Sequence, residues 1–190
     1  MTEKHGEIAT KAAYFAAGAH KGIGHKRRYT NKCYFDTHVS EVARTIYMME
    51  NSTEEMVALA YLHDVVEDTH VTIDMLRSLF PHILVGYVSI LTKDMGAYGV
   101  GLPNRFEIAK IEAERINSSI DPYVTATVKY ADILSNLSDV YEKDVSFAKT
   151  YVKEKEIMID IMDKGDQYLK RMCYLLIDEI NEKIKEGTKE

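Results

Sequence analysis

Four polar residues follow one apolar run, and their types suit the binding of a cation. Residues 58–62 (ALAYL) lead directly into His63 and Asp64, and Glu67 and Asp68 follow one helical turn later. Buried imidazole and carboxyl groups are costly unless they are paired, and a cation can pair with several of them at once. We interpret the stretch as part of a metal hydrolase site. The alternative is a helix end whose polar side chains are simply solvated.

The spacing of these residues predicts how they share one surface. If residues 56–68 form a single helix, His63 and Glu67 are separated by four positions, and so are Asp64 and Asp68. One face of that helix would then present two candidate metal ligands, and the two carboxylates one turn further along would transfer protons. We therefore predict His63 and Asp64 as metal ligands and Glu67 and Asp68 as catalytic groups.

Two further candidate ligands lie elsewhere in the chain. His38 falls at the start of a helix predicted to run to about residue 50, where a lone histidine more often caps or packs; it becomes a candidate because the site needs another nitrogen. Asp132 and Asn136 are separated by four positions in a largely buried predicted helix, so they need a partner. One interpretation is that the two side chains form a hydrogen bond with each other inside the core. The other is that Asp132 is a metal ligand and Asn136 orients that ligand or the substrate.

The donor set His38, His63, Asp64 and Asp132 combines two imidazoles with two carboxylates. Such a mixed set suits Mn²⁺, Fe²⁺ or Zn²⁺ with positions left open for water, and it does not fit a closed structural zinc site rich in cysteine. Open positions indicate catalysis, because a metal lowers the pKa of a water that it holds and polarises a phosphoryl oxygen.

Residues 21–32 form a basic loop in an otherwise acidic chain. Six of these twelve residues are basic, including Arg27 and Arg28, whereas the whole chain has a net charge of −6. An acidic chain has no general attraction for nucleic acid or for an anionic membrane, so we expect neither as a partner. The loop is either a solvated turn or the place where the phosphates of a small ligand bind.

Composition favours one soluble helical domain. The 190 residues include 46% hydrophobic and 28% charged residues, with three prolines and ten glycines. Nothing at the N-terminus resembles a signal peptide, no apolar run is long enough to span a membrane, and Cys33 and Cys173 lack metal-ligand spacing. We expect a cytoplasmic all-α domain over residues 1–190, and the sequence leaves open whether it forms a homo-oligomer.

Hydrophobic periodicity predicts the order of the helices. Besides residues 56–68, the predicted helices cover residues 7–20, 39–50, 72–80, 83–91, 104–116 and 123–139, and one or two more lie within 147–184 with a join at Gly165. Residues 92–103 form the longest predicted loop and could move over the site.

Several segments resemble one family of hydrolases. The order of His38, the pair His63–Asp64, and Asp132 resembles the HD-domain metal-dependent phosphohydrolases. Four sequence segments indicate a more specific family within this group. The segments HDVVEDT (residues 63–69), KYADILSNL (129–137), FAAGAH (15–20) and RRY (27–29) look like the hydrolase domain of the RelA/SpoT homologues, including the small alarmone hydrolases. The resemblance covers residues 12–139.

The resemblance implies an all-α HD fold and removal of the 3′-pyrophosphate from guanosine tetra- and pentaphosphate with Mn²⁺. Matched position by position, it implies three groups of site residues. The metal ligands are His38, His63, Asp64 and Asp132; the catalytic acidic pair is Glu67 and Asp68; the substrate contacts are Arg27 and Arg28 at the phosphates and Asn136 near the ribose.

The sequence also departs from the family pattern. Cys33 and Val39 stand where the family usually has proline, the interval from Tyr34 to His38 is one residue longer, and Ile133 replaces a basic residue. These changes fall where substrate contacts are expected. Three alternatives to an alarmone hydrolase stay open: an HD enzyme for another nucleotide, such as a deoxynucleotide or a nicotinamide dinucleotide phosphate; a nucleotide sensor without catalysis; and a purely structural helical protein. No synthetase activity is expected.

Overall fold

The computed structural model describes residues 6–93 and 103–186, and these residues form an all-α fold, as predicted. Among them the backbone forms no strand, and one isolated bridge joins Lys26 to Cys33. The helices are α1 Glu7–Gly22, α2 Ser40–Met48, α3 Glu54–Leu62, α4 Val65–Asp68, α5 Ile73–Arg77, α6 His82–Leu91, α7 Arg105–Asn117, α8 Pro122–Lys143, α9 Val145–Ile161 and α10 Gln167–Glu186.

The chain divides into two compact units, Met1–Lys93 and Asp94–Glu190. Each unit is held together by helix packing of its own. The sequence-based expectation of one domain over residues 1–190, with its motifs in 12–139 and C-terminal helices in 147–184, stays a prediction. Within the described residues, no helix has both the length and the apolar composition required to cross a membrane.

Helix α3 is the centre of the first unit, because α1, α2 and α6 all pack against it. Its apolar residues are buried on every side, which is the pattern of a core helix rather than of a surface helix. Thr53 caps its N-terminus by accepting a hydrogen bond from the Met56 amide at 3.3 Å. Glu54 in its first turn accepts hydrogen bonds from the amides of Ile8 and Ala9 at 2.6 and 3.1 Å, so a carboxylate from α3 caps α1.

Helix α8 is the centre of the second unit, where it packs against α7, α9 and α10. Asp121 caps it, and Pro122 stands at its first position, where a missing amide hydrogen costs nothing. Helix α7 begins with a capping box in which Asn104 and Glu107 satisfy each other's backbone amides. The predicted join between the last two helices at Gly165 is confirmed.

Gly165 allows the link between α9 and α10 to lie directly on α8. A Cβ atom at this position would lie 2.5 Å from Cε2 of Tyr130 and 2.9 Å from Cβ of Ala126. Gly165→Ala is therefore expected to lower the free energy of unfolding by about 1–3 kcal/mol through overpacking. Gly86→Ala is the matched control: nothing lies within 4 Å of its added Cβ, and alanine should stabilise α6 by about 0.5–1 kcal/mol. Denaturant unfolding of both variants, followed by circular dichroism, gives the comparison; equal stability of Gly165→Ala and the parent would contradict it.

The predicted start of the second helix differs from the structure. The helix predicted from residue 39 begins earlier, as a π-helical turn over Phe35–Val39 that continues into α2. Within this turn the Thr37 hydroxyl donates to the Cys33 carbonyl at 2.8 Å, and Asp36 pairs with Lys21 at 2.8 Å. The predicted loop over residues 92–103 falls mainly on residues 94–102, which lie outside the described residues.

Candidate metal centre

His63 and Asp64 lie at a break between two helices, so the prediction of one helix over residues 56–68 is wrong. Helix α3 ends at Leu62, α4 begins at Val65, and Asp64 has φ −107° and ψ −1° instead of regular helical values. Adjacent residues on a continuous helix do not face each other. At the break, Nε2 of His63 and Oδ2 of Asp64 are 3.0 Å apart.

His38 adds a second imidazole to this pair. It is fully buried on the π-helical turn Phe35–Val39, a type of turn that is frequent at functional sites. Its Nε2 atom lies 3.3 Å from Nε2 of His63 and 3.3 Å from Oδ2 of Asp64. The three side chains each offer one ligand atom, and these atoms lie within 4.8 Å of one another. The structure thus brings together the three candidate ligands of the first unit.

The hydrogen bond of His63 shows that its inner nitrogen suits a cation. Nδ1 of His63 lies 2.7 Å from the Ala60 carbonyl oxygen, which can only accept, so Nδ1 carries the proton. When the ring is neutral, Nε2 then carries a lone pair, which points toward His38 and Asp64. Histidine ligands in proteins are usually held in this way, with the other ring nitrogen donating to a carbonyl or carboxylate. The donor set therefore fits a divalent metal.

Asp64 is held as a carboxylate. Burial alone would raise its pKa, but when His63 and His38 are protonated, their charges and hydrogen bonds hold the pKa of Asp64 well below its usual range. Tyr34 adds a further hydrogen bond, because its hydroxyl donates to Oδ2 of Asp64 at 2.6 Å. An ionised carboxylate beside two imidazoles supplies the negative charge that a divalent cation requires.

Glu67 and Asp68, the predicted catalytic pair, form the last turn of α4. Asp68 is exposed as a residue. Partial desolvation of its carboxyl group, followed by the negative charges of Asp64 and Glu67, raises the pKa of Asp68 to about 7. A carboxyl group with such a pKa can both accept and release a proton at neutral pH. Glu67 instead accepts a hydrogen bond from the Lys93 amide at 2.7 Å.

The two arginines of the basic loop differ in their surroundings. Arg27 is buried, with 8% of its surface exposed, and its guanidinium lies 5.9 Å from the centre of the Tyr34 ring. Arg28 is exposed and lies 5.3 Å from the ring of Tyr29. Arg27 therefore lies beside the residue that contacts Asp64, whereas Arg28 faces solvent. The motif resemblance had implied the same phosphate-binding role for both arginines.

Asp132 belongs to the second unit, where it is buried on α8. Asn136 donates to its Oδ1 atom at 2.6 Å, and the Lys129 ammonium lies 2.7 Å from its Oδ2 atom. The predicted spacing thus places Asp132 and Asn136 in contact, and Lys129 joins them from three positions away. Ile133 is fully buried in the core, so it does not present a surface to a substrate as the sequence suggested.

Three residues near the site had no assigned role in the sequence analysis. His20 entered it only as part of a resembling segment, Tyr34 only as one end of an interval that departs from the family pattern, and His25 only as one of several basic residues in a loop. In the structure His25 stacks on Tyr34 with ring centres 4.0 Å apart, and His20 lies 3.0 Å from His25 through their Nδ1 atoms. Histidine and tyrosine at the end of a helix and in the loop that follows are the one signal that could have indicated this cluster.

Comparison with known proteins identifies the fold. No protein-family model matches the chain, and no curated protein sequence matches it. A solved structure does match: a metazoan ortholog of SpoT that hydrolyses ppGpp, with a TM-score of 0.75 and 22% sequence identity over 94% of this chain and 96% of that chain. This chain has the same fold. The fold that the motif resemblance implied is therefore confirmed.

Proposed function

We propose that this chain is a metal-dependent phosphohydrolase that removes the 3′-pyrophosphate from guanosine tetra- or pentaphosphate. The observation that carries the proposal is the convergence of His38, His63 and Asp64 on one point, in a fold shared with a protein that hydrolyses ppGpp. The HDVVEDT segment adds support, because it supplies both the ligand pair and an acidic pair in the order that the resemblance implies.

The proposed metal is Mn²⁺, with Fe²⁺ or Zn²⁺ as alternatives, and the proposed fourth ligand is Asp132. Two imidazoles and two carboxylates form a mixed set that suits all three ions. When bound, the metal would acidify a water molecule and withdraw charge from the phosphoryl group. Asn136 and Lys129 support Asp132 in this role, because each holds one of its carboxylate oxygens and so fixes its orientation.

The remaining residues of the proposal bind the nucleotide and move the proton. Asp68 has a carboxyl pKa of about 7 and would take a proton from the attacking water, and Glu67 would help to position that water. Arg27 and Arg28 would pair with substrate phosphates, since guanidinium groups bind phosphate oxygens through two parallel hydrogen bonds. Asn136 would contact the ribose. The proposed setting is the cytoplasm.

A panel of nucleotides tests the proposed activity. The metal-stripped protein is reloaded with Mn²⁺ and given guanosine tetraphosphate, guanosine pentaphosphate, a deoxynucleoside triphosphate, a nicotinamide dinucleotide phosphate and GTP. Release of pyrophosphate from the first two is the expected result. Turnover of another nucleotide alone would identify a related HD hydrolase, and tight binding without turnover of any would identify a sensor. Size-exclusion chromatography of the same sample would show whether the chain forms a homo-oligomer.

Replacing Arg27 and Arg28 together by alanine is expected to raise KM more than it lowers kcat. If these groups hold substrate and transition state alike, their loss weakens binding, and a lost charge-assisted hydrogen bond is worth about 1.5–3 kcal/mol, or roughly 10–100-fold in KM. Arg27→Ala alone should account for more of the effect than Arg28→Ala, because Arg27 lies beside Tyr34.

Lys32→Ala is the matched control for the arginine variants. It removes one positive charge from the exposed part of the same loop without changing either guanidinium. Steady-state kinetics of all four variants on the hydrolysed nucleotide give the comparison. If the double variant has the KM and kcat of the parent, the basic loop is a solvated turn with no part in binding.

A further inference from the structure

We propose that His25 and His20 position Tyr34, and that through the Tyr34 hydroxyl they fix the orientation of the Asp64 carboxylate for metal binding. The inference rests on the proposed metal site. It assigns to three residues outside the ligand set a role in how tightly the metal is held. All of the contacts that carry it lie within the first unit.

Tyr34 is the residue that joins the histidine pair to the ligands. Its hydroxyl donates to Oδ2 of Asp64 at 2.6 Å, the same oxygen that lies 3.0 Å from His63 and 3.3 Å from His38. A carboxylate can rotate about its last bond, so a short hydrogen bond to one oxygen restricts that rotation. Partners of this kind behind a metal ligand set its orientation and its basicity.

The position of Tyr34 depends on His25. The two rings are stacked with centres 4.0 Å apart and planes 20° apart. The backbone joins them as well, because the Tyr34 amide donates to the His25 carbonyl at 3.0 Å, and the His25 amide donates to the His20 carbonyl at 2.9 Å. His25 is therefore fixed to the end of α1 on one side and to Tyr34 on the other.

His20 fixes the plane of the His25 ring. Their Nδ1 atoms lie 3.0 Å apart, so one must donate and the other accept. Among the described residues, Nε2 of His20 has no hydrogen-bond partner and is buried, and a buried N–H group without an acceptor is rarer than an unpaired acceptor. The proton of neutral His20 is therefore on Nδ1, which donates to Nδ1 of His25. Burial lowers the pKa of His20 to about 4, which keeps the ring neutral at pH 7.

This arrangement explains why two neutral histidines are placed so near a predicted cation. A charged histidine would repel the metal, but a neutral ring can stack, donate one hydrogen bond and add no charge. His20 is fully buried at the last turn of α1, so its ring is held in a fixed position relative to that helix. The contacts form one continuous series from α1 through His25 and Tyr34 to Asp64.

Calorimetric titration of the metal-stripped protein with Mn²⁺ tests the role of Tyr34. Tyr34→Phe keeps the ring and its stacking but removes the hydroxyl, and we expect it to weaken Mn²⁺ binding by about 10–100-fold. The thermal unfolding of the metal-free variant should change little, which a merely structural role would not predict. Tyr174→Phe is the matched control, because its hydroxyl also donates to an aspartate, Asp160, in the second unit. It should bind Mn²⁺ as the parent does.

Two variants of His25 test the stacking. His25→Ala should weaken Mn²⁺ binding in the same direction as Tyr34→Phe, and His25→Phe, which retains a flat ring, should restore most of that affinity. Parent-like Mn²⁺ binding by Tyr34→Phe would overturn the inference, and so would an equal loss in His25→Phe and His25→Ala. If His25→Ala does not fold, His25→Phe and Tyr34→Phe still test the proposed positioning role.

The outcome for the proposed enzyme is separate. If the parent binds Mn²⁺ and the variants behave as expected, but no nucleotide is hydrolysed, the positioning role stands and the hydrolase proposal fails. If the parent binds and hydrolyses while Tyr34→Phe binds Mn²⁺ normally, the hydrolase proposal stands and the positioning role fails. A parent that binds no Mn²⁺ would overturn both.

Discussion

Replacing His63 or Asp64 by alanine is expected to reduce the bound metal from one ion per chain to almost none. Each residue supplies one of the converging ligand atoms, and the remaining donors cannot hold a divalent ion when a third of the first unit's set is missing. Metal content of the purified variants, measured by mass spectrometry, gives the result. Undiminished metal in both variants would contradict the assignment.

The same variants should also lose stabilisation by metal. A ligand at 100 times its dissociation constant stabilises the folded state by about 2.7 kcal/mol, so added Mn²⁺ should raise the unfolding temperature of the parent and leave both variants unchanged. His82→Ala is the control, because His82 is an exposed histidine at the start of α6. It should retain both the metal and the Mn²⁺-dependent rise in unfolding temperature.

The second large effect concerns catalysis without loss of binding. Asp68→Asn or Glu67→Gln is expected to lower kcat by about 10²–10⁴, the usual contribution of a positioned proton-transfer group. Asp68 should show the larger loss, because its pKa of about 7 places it close to the working pH. The amides preserve size, and glutamine keeps an oxygen that can accept the hydrogen bond from the Lys93 amide.

Turnover, metal content and nucleotide affinity of each amide variant should be measured beside the parent. Metal and nucleotide should still bind, because neither residue is a proposed ligand. Asp74→Asn is the control, since this exposed aspartate of the same unit pairs with Arg77 at the surface. Parent-like kcat in both amide variants would remove the acidic pair from the mechanism. A parent that binds nucleotide and turns nothing over would be a sensor.

Hydrophobic periodicity predicted most helices of both units because most of these helices bury one face and expose the other. Helices α7 and α8 were predicted to within a few residues, and the break at Gly165 followed from the lack of a side chain. The spacing of Asp132 and Asn136 correctly implied a contact, because four positions on a helix bring side chains together. Local patterns of this kind can be read without knowing the rest of the fold.

The parts that were missed depend on contacts between distant segments. Helical propensity is a weak prior, and nothing in residues 56–68 indicates that the backbone turns at Asp64. The link from His20 through His25 to Tyr34 spans a loop with no periodicity, and the contact from Tyr34 to Asp64 joins residues that are 30 positions apart. Ile133 was assigned to the site by analogy of position, although its side chain faces the core.

The break between α3 and α4 matters to anyone who would move this motif into another protein. Copying HDVVEDT onto a straight designed helix would reproduce every spacing in the sequence, yet His63 and Asp64 would then point in different directions. A transplanted motif needs the break between the two helices as well as the amino-acid sequence, and that break depends on the backbone conformation of Asp64. Searches of helical scaffolds for a host should therefore begin from two short helices that meet at a turn.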